Sequence, residues 1–152
     1  RPGFDLGVGS LVFAGIGAGG ILLYLAAREL GFNTTVAAAN LAEAWWTIPV
    51  LVLRAVMNGV LEEVVMVGYL FTRWRQAGGR TATVLVGSAL IRGAYHLYQG
   101  FGGFAGNLIM GLLFGWLYLR TKRVMPLVVV HSLLDIAAFV GYALLKPHLS
   151  WL

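Results

Sequence analysis

"NGVLEEVVMVGYL", residues 58–70, sets two adjacent carboxylates, Glu62 and Glu63, into a segment otherwise apolar from Trp45 to Leu53 and from Val64 to Phe71. If that segment crosses a bilayer, each ionisable side chain costs about 2.5–3.5 kcal/mol on insertion scales. Such groups therefore face the interior of a helix bundle and mark function. The rest of the chain decides whether the segment does cross.

Of the 152 residues, 59% are hydrophobic and 11% are charged, and the mean hydropathy is +0.82. A soluble domain is roughly half apolar and a quarter charged, so the balance is that of a polytopic membrane protein. The absence of cysteine excludes disulfides and thiolate metal sites. A formal charge of +5 is compatible with nucleic-acid binding. Its distribution points elsewhere, because the basic residues sit at the ends of apolar runs. Membrane lipids, not nucleic acid, are the expected surroundings. The chain begins at Arg1, and its first apolar run is too long, and lacks the cleavage pattern, for a signal peptide.

A membrane-crossing helix takes roughly 20 mostly apolar residues. Five candidates occur, at about 7–30, 43–74, 81–99, 103–120 and 124–146. The expected fold is an all-α polytopic bundle of about five transmembrane helices around a polar interior cavity, one transmembrane domain over 1–152. Arg73, Arg75 and Arg80 fall in one short loop, and Arg120, Lys122 and Arg123 in another. Arg28 and Lys146 lie at the opposite ends. By the excess of basic residues in cytoplasmic loops, loops 73–80 and 120–123 are expected in the cytoplasm, with Arg1 inside and the C-terminus outside. The expected location is a bacterial cytoplasmic membrane. Trp45, Trp46, Trp74 and Trp151 fit an interfacial aromatic belt. Asn33-Thr34-Thr35 has the form of a glycosylation sequon in the longest connection, 31–42.

Residues four apart share a helical face. Arg54, Asn58 and Glu62 make one polar stripe on the second span. Ser88, Arg92 and His96 make another on the third, and His131 and Asp135 a third on the fifth. Three such stripes can converge on one cavity. Glu63 points about 100° away from Glu62, at 3.6 residues per turn, so the two acids are expected to do different work. Glu62, Glu63 and Asp135 against Arg54 and Arg92 leave a formal charge of −1 with neutral histidines. A dry site relieves that by holding a proton or a divalent cation. Glu62 beside a histidine could deprotonate a water and return the proton. Two histidines with carboxylates also suit zinc or another divalent ion, with Glu62, His96, His131 and Asp135 as candidate ligands. The H-E-x-x-H pattern of soluble metalloproteases is absent. For upright helices, the depths from the basic ends are about 18 Å for Glu62, 23 Å for His96 and 10 Å for His131 at 1.5 Å per residue, so a single site requires tilt. Ser88, Gln99 and Asn107 read as packing contacts, and Gly111 with Gly115 as a close contact within the bundle.

These residues resemble the motifs of the CAAX protease and bacteriocin-processing (CPBP, or Abi) family of intramembrane endopeptidases. "EEVVMVGYL" matches its E-E-x-x-x-R and G-x-L pattern at Glu62, Glu63, Gly68 and Leu70. "RGAYH" matches F-x-x-x-H at His96, and "HSLLD" matches H-x-x-x-N/D at His131 and Asp135. The resemblance covers about residues 43–145. It implies a protease acting on a protein or peptide substrate. Glu62 would activate water with His96 beside it, His131 and Asp135 would stabilise the oxyanion or bind metal, and Glu63 would orient neighbours. The sequence departs from the pattern twice. Val67 stands where the family has arginine, and Arg92 where it has phenylalanine. The two departures read as one change, a guanidinium moved from the second helix to the third, where Arg92 could pair with Glu63 or Asp135. Two other classes use similar residues. One is a catalytically silent scaffold or immunity-type protein with the same fold. The other is a proton-relay or transporter subunit, against which stand the lack of an inverted repeat and the small number of helices. The sequence is silent on oligomeric state.

Overall fold

The computed structural model describes residues 1–33, 41 and 44–145, and no strand occurs among them. The helices are α1 (Pro2–Glu29), α2 (Thr47–Glu62), α3 (Leu70–Gln76), α4 (Thr81–Tyr95), α5 (Phe101–Thr121) and α6 (Met125–Leu145). A π-helical stretch, Glu63–Tyr69, joins α2 to α3 without a break, so the described residues make five continuous helices. The expected all-α membrane bundle is what the residues form. Among the described residues three helices, α1, α5 and α6, are long and apolar enough to cross a membrane on their own composition. The α2–α3 run is long enough but carries the charged residues of the opening motif.

The third span, expected at 81–99, is shorter than anticipated. α4 has 15 residues, about 23 Å at 1.5 Å per residue, against a hydrocarbon core of about 30 Å. It ends at His96 and gives way to a 3-10 turn, Leu97–Gln99. His96 therefore sits inside the bundle, not at the far surface. Gly100 then adopts φ 90° and ψ 178°, a conformation open to glycine alone, and α5 starts at the next residue. The end of α1 holds this reversal from outside. Gly102 N–H donates to the Phe32 carbonyl at 3.2 Å, and Asn33 bridges to Gly100. Residues 34–35 of the sequon-like triplet, together with Lys146 and Trp151, lie outside the described residues.

At the opposite end, Arg123 donates from Nε and Nη2 to the two Asp5 carboxylate oxygens, both at 2.6 Å. This clasp fixes the start of α1 beside the α5–α6 connection. Both basic loops and the start of α1 lie at this end, in keeping with the alternation of five helices. Trp74 packs its ring against Gly79 and Gly87, so it seals the α3–α4 hairpin.

Small residues set the helix spacings. A Cβ on Gly111 would lie 2.9 Å from the Ala89 backbone, so α5 meets α4 closely there. On Gly59 it would lie 2.5 Å from Ser132 Oγ and 3.0 Å from the Ser132 nitrogen, so α2 lies against α6 with no room for a side chain. Close approach through small residues replaces the hydrophobic drive that lipid removes. The buried core that results joins Val67, Phe71, Val84, Phe114, Leu127 and Val130.

Gly59→Val should lower stability by about 1–3 kcal/mol, the usual cost of overpacking. Gly141→Ala, where a Cβ meets nothing within 4 Å, should be neutral or stabilising by up to about 1 kcal/mol. Thermal unfolding in detergent separates the two. Equal midpoints would mean that α2 and α6 are not in the contact described.

Candidate functional site

Glu63 ends the regular part of α2 and opens the π stretch. π turns are rare and are found mostly as insertions at functional sites. The wider turn keeps Glu63, Val67 and Phe71 on the buried side. Glu63 is fully buried, and Arg92 and His131 are nearly so.

One carboxylate oxygen joins three helices. Glu63 Oε1 accepts from Arg92 Nη2 at 2.6 Å and lies 2.6 Å from His131 Nδ1. Arg92 comes from α4 and His131 from α6. The pairing anticipated for Arg92 is thus made with Glu63. Val67, at the position of the family's arginine, is a buried member of the apolar core instead. With His131 neutral, the trio carries one positive and one negative charge and is formally balanced. Balance matters here, since an unpaired charge in such surroundings costs several kcal/mol. Phe114 of α5 lies beneath both partners, its ring 5.4 Å from the Arg92 guanidinium and 6.3 Å from the His131 ring. It supplies a cation–π contact and an apolar floor.

The other side of His131 faces a second acid. Its Nε2 lies 3.7 Å from Asp135 Oδ1 one turn along α6. Asp135 also accepts from Asn58 Nδ2 at 3.4 Å, which brings in α2 again. An imidazole between two carboxylates has its tautomer set by them. If Nδ1–H donates to Glu63, Nε2 is free to accept or carry a second proton.

Glu62 turns away from this trio, as its position in the helix dictates. It is half-buried and accepts from the Tyr95 hydroxyl at 2.5 Å. Tyr95 stacks obliquely on His96, with ring centroids 4.6 Å apart. His96 Nδ1 lies 3.0 Å from the Arg92 carbonyl of its own helix, which fixes the ring at the helix end.

The structure therefore brings together Glu62, Glu63, Arg92, His96, His131, Asp135 and Asn58. Arg54 stands apart from them. It is exposed on α2, with its guanidinium 5.4 Å from the Phe139 ring. Ser88, Gln99 and Asn107 make local bonds only, Ser88 to the Leu85 carbonyl, Gln99 to Tyr98 and Asn107 to the Gly103 carbonyl. Tyr95 and Phe114 are additions that sequence reasoning passed over. Tyr95 looked like one more aromatic residue beside a histidine, and Phe114 like one more apolar residue in a span. Among the described residues, no three His, Asp or Glu side chains are arranged to hold a metal ion.

Two atoms of the trio stay unpaired despite burial, Glu63 Oε2 and Arg92 Nη1. Buried polar atoms without partners are costly and rare.

Arg92→Met should cost about 3–5 kcal/mol, because it strands the Glu63 carboxylate in an apolar interior. Adding Glu63→Gln should recover part of that loss, giving a coupling well above the additive sum. Chemical or thermal unfolding of the two single variants and the double variant reads this directly, and strict additivity would mean that the pair is not formed.

A family model described as "Type II CAAX prenyl endopeptidase Rce1-like" matches residues 44–137, more than half of the chain and all of the residues gathered above. No curated protein and no solved structure matches the chain. The helix α1 lies outside the matched segment, whose first helix is α2. The chain is an integral membrane protein of the CAAX-type intramembrane endopeptidase class, and it belongs to the Rce1-like family.

Proposed function

We propose that the protein is an intramembrane endopeptidase that uses Glu62 as the base to activate water. The observation that carries this reading is the division of labour between the two adjacent acids. Glu63 is committed, since its Oε1 is shared between Arg92 and His131 at 2.6 Å each. Glu62 is half-buried and held on one oxygen only, by Tyr95, which leaves the other oxygen to take a proton from water. A base must be reachable and correctly aimed, and Glu62 meets both conditions where Glu63 meets neither.

In this reading the water is held between Glu62 and His96. It attacks the carbonyl carbon of the scissile peptide bond, and its proton passes to Glu62. Negative charge then grows on the carbonyl oxygen. The donor near it is His131 Nε2 when the ring carries its second proton, beside Asp135 at 3.7 Å. Preorganised donors of this kind supply much of the barrier reduction in acyl transfer. As the C–N bond breaks, Glu62 returns the proton to the leaving nitrogen. Glu63 and Arg92 act as positioning residues that aim His131. The family's printed description makes a prenylated C-terminal peptide the first substrate to try.

With protein reconstituted in liposomes and a farnesylated, internally quenched peptide, Glu62→Gln should lower turnover by about 10²–10⁴, the usual share of general acid–base catalysis. Its unfolding midpoint should be unchanged. Wild-type protein that cleaves no better than Glu62→Gln would favour the silent-scaffold reading. Tyr95→Phe should cost about ten-fold, the low end of the roughly 1.5–3 kcal/mol of a hydrogen bond to a charged group. Because Tyr95 is 40% exposed, the variant should fold normally, and unaltered turnover would show that its hydroxyl does not position Glu62.

A further inference from the structure

The basic end of the molecule holds a second feature, separate from the carboxylate–imidazole cluster. A cleft of about 230 Å³ opens between α3 and the end of α5, lined by Phe71, Thr72, Arg75, Tyr118, Leu119 and Lys122. Its floor is apolar, with Phe71 fully buried and Leu119 partly so, while the two cations stand exposed at its rim. Three of the basic side chains at this end are already engaged. Arg123 is held by Asp5, Arg73 by Gln76 and the Tyr69 ring, and Arg120 lies over Trp116. Arg75 reaches only the neutral hydroxyl of Thr81. Lys122 has a left-handed backbone, φ 55°, which is uncommon for a residue with a side chain. It caps α5 where the chain turns toward α6. No carboxylate pairs with Arg75 or Lys122 among the described residues.

We propose that this cleft binds the headgroup of an anionic phospholipid, with the phosphate between Arg75 and Lys122 and the first acyl atoms against Phe71 and Leu119. Three observations select that occupant. The cleft is smaller than the roughly 300–1,000 Å³ of a site enclosing a drug-sized ligand, so it takes a headgroup and not a whole molecule or a folded segment. Its lining is cationic at the rim and apolar below, the order in which a phospholipid presents phosphate and chain. It lies at the end of two membrane helices, where lipid is the constant neighbour and basic residues meet anionic leaflets. The site is independent of the protease reading and touches none of its residues.

Native mass spectrometry of the full chain in mixed phosphatidylglycerol and phosphatidylcholine micelles tests this. Wild type should retain phosphatidylglycerol in preference. Arg75→Gln with Lys122→Gln should reduce that retention by about twenty-five-fold, at roughly five-fold per cation. Arg73→Gln with Arg80→Gln removes the same charge from the same end but from outside the cleft, and should stay within about two-fold of wild type, the scatter expected of exposed charges screened by salt. Equal losses in the two pairs would reduce the effect to the general field of that surface and overturn the proposal. Millimolar inorganic phosphate that displaces the lipid would make it a free-phosphate site and would overturn it too. A photo-crosslinking side chain at Thr72, in the otherwise unaltered sequence, covers the case in which the double variant misfolds. It should capture phosphatidylglycerol in several-fold excess over phosphatidylcholine, and equal capture refutes the assignment.

Discussion

Glu63 Oε1 is the point on which the bundle turns. It lies 2.6 Å from both Arg92 Nη2 and His131 Nδ1, and these three side chains come from three different helices. In lipid there is no general hydrophobic drive between helices. A buried carboxylate with specific partners can supply the missing specificity, because every arrangement that separates the three leaves an uncompensated charge. Small residues then let the backbones close around the pair. Gly59 admits α6, and Gly111 admits α4 beside Arg92, whose Cδ would lie 3.3 Å from a Cβ at that position. The electrostatic tie and the absence of side chains are thus one device: the ion pair forms only if the helices come near, and the glycines let them do so.

The same tie explains why two adjacent acids behave differently. A helical step of about 100° places Glu63 inward and Glu62 toward the edge. The π stretch beginning at Glu63 then keeps Val67 and Phe71 buried below it. One acid is held by a guanidinium and an imidazole, while the other stays reachable under a single phenol. The short α4 completes this arrangement. Because it stops at His96 and the chain reverses through Gly100, its last turn presents Arg92, Tyr95 and His96 together, to Glu63 on the buried side and Glu62 on the more open one.

Much of this was legible in the residue spacing. The i, i+4 relation of Arg92 to His96 and of His131 to Asp135 gave faces correctly, and the all-α membrane bundle followed from composition. The stripe of Arg54, Asn58 and Glu62 was legible only in part. Asn58 reaches Asp135, while Arg54, one turn earlier, has left the interior and rests on Phe139. Spacing tells which face a residue shares, not how far along the helix the partner helix stays close. Depth was harder still. Upright helices put Glu62 and His131 at different levels, yet Glu63 and His131 touch, because tilt, the π stretch and the short α4 all alter depth without altering periodicity. Tyr95 and Phe114 were invisible for a different reason. In a chain that is 12% aromatic, neither stands out until a partner is found for its hydroxyl or its ring face.

The position of the guanidinium on α4 has a physical logic of its own. An arginine at position 67 would need its long side chain to fold back along its own helix to reach Glu63, four residues away. That position lies in the apolar core with Phe71, Phe114 and Val130. From α4 the guanidinium crosses directly to the carboxylate and covers Phe114 on the way. The placement on α4 therefore does more than balance charge. An arginine on the same helix as Glu63 can neutralise it but ties nothing together, whereas Arg92 turns the same neutralisation into a bond between α2 and α4. Valine at 67 then fills with apolar volume the space that a same-helix arginine would have occupied. In the folded chain the positive charge beside Glu63 comes from the helix that also carries His96 and Tyr95.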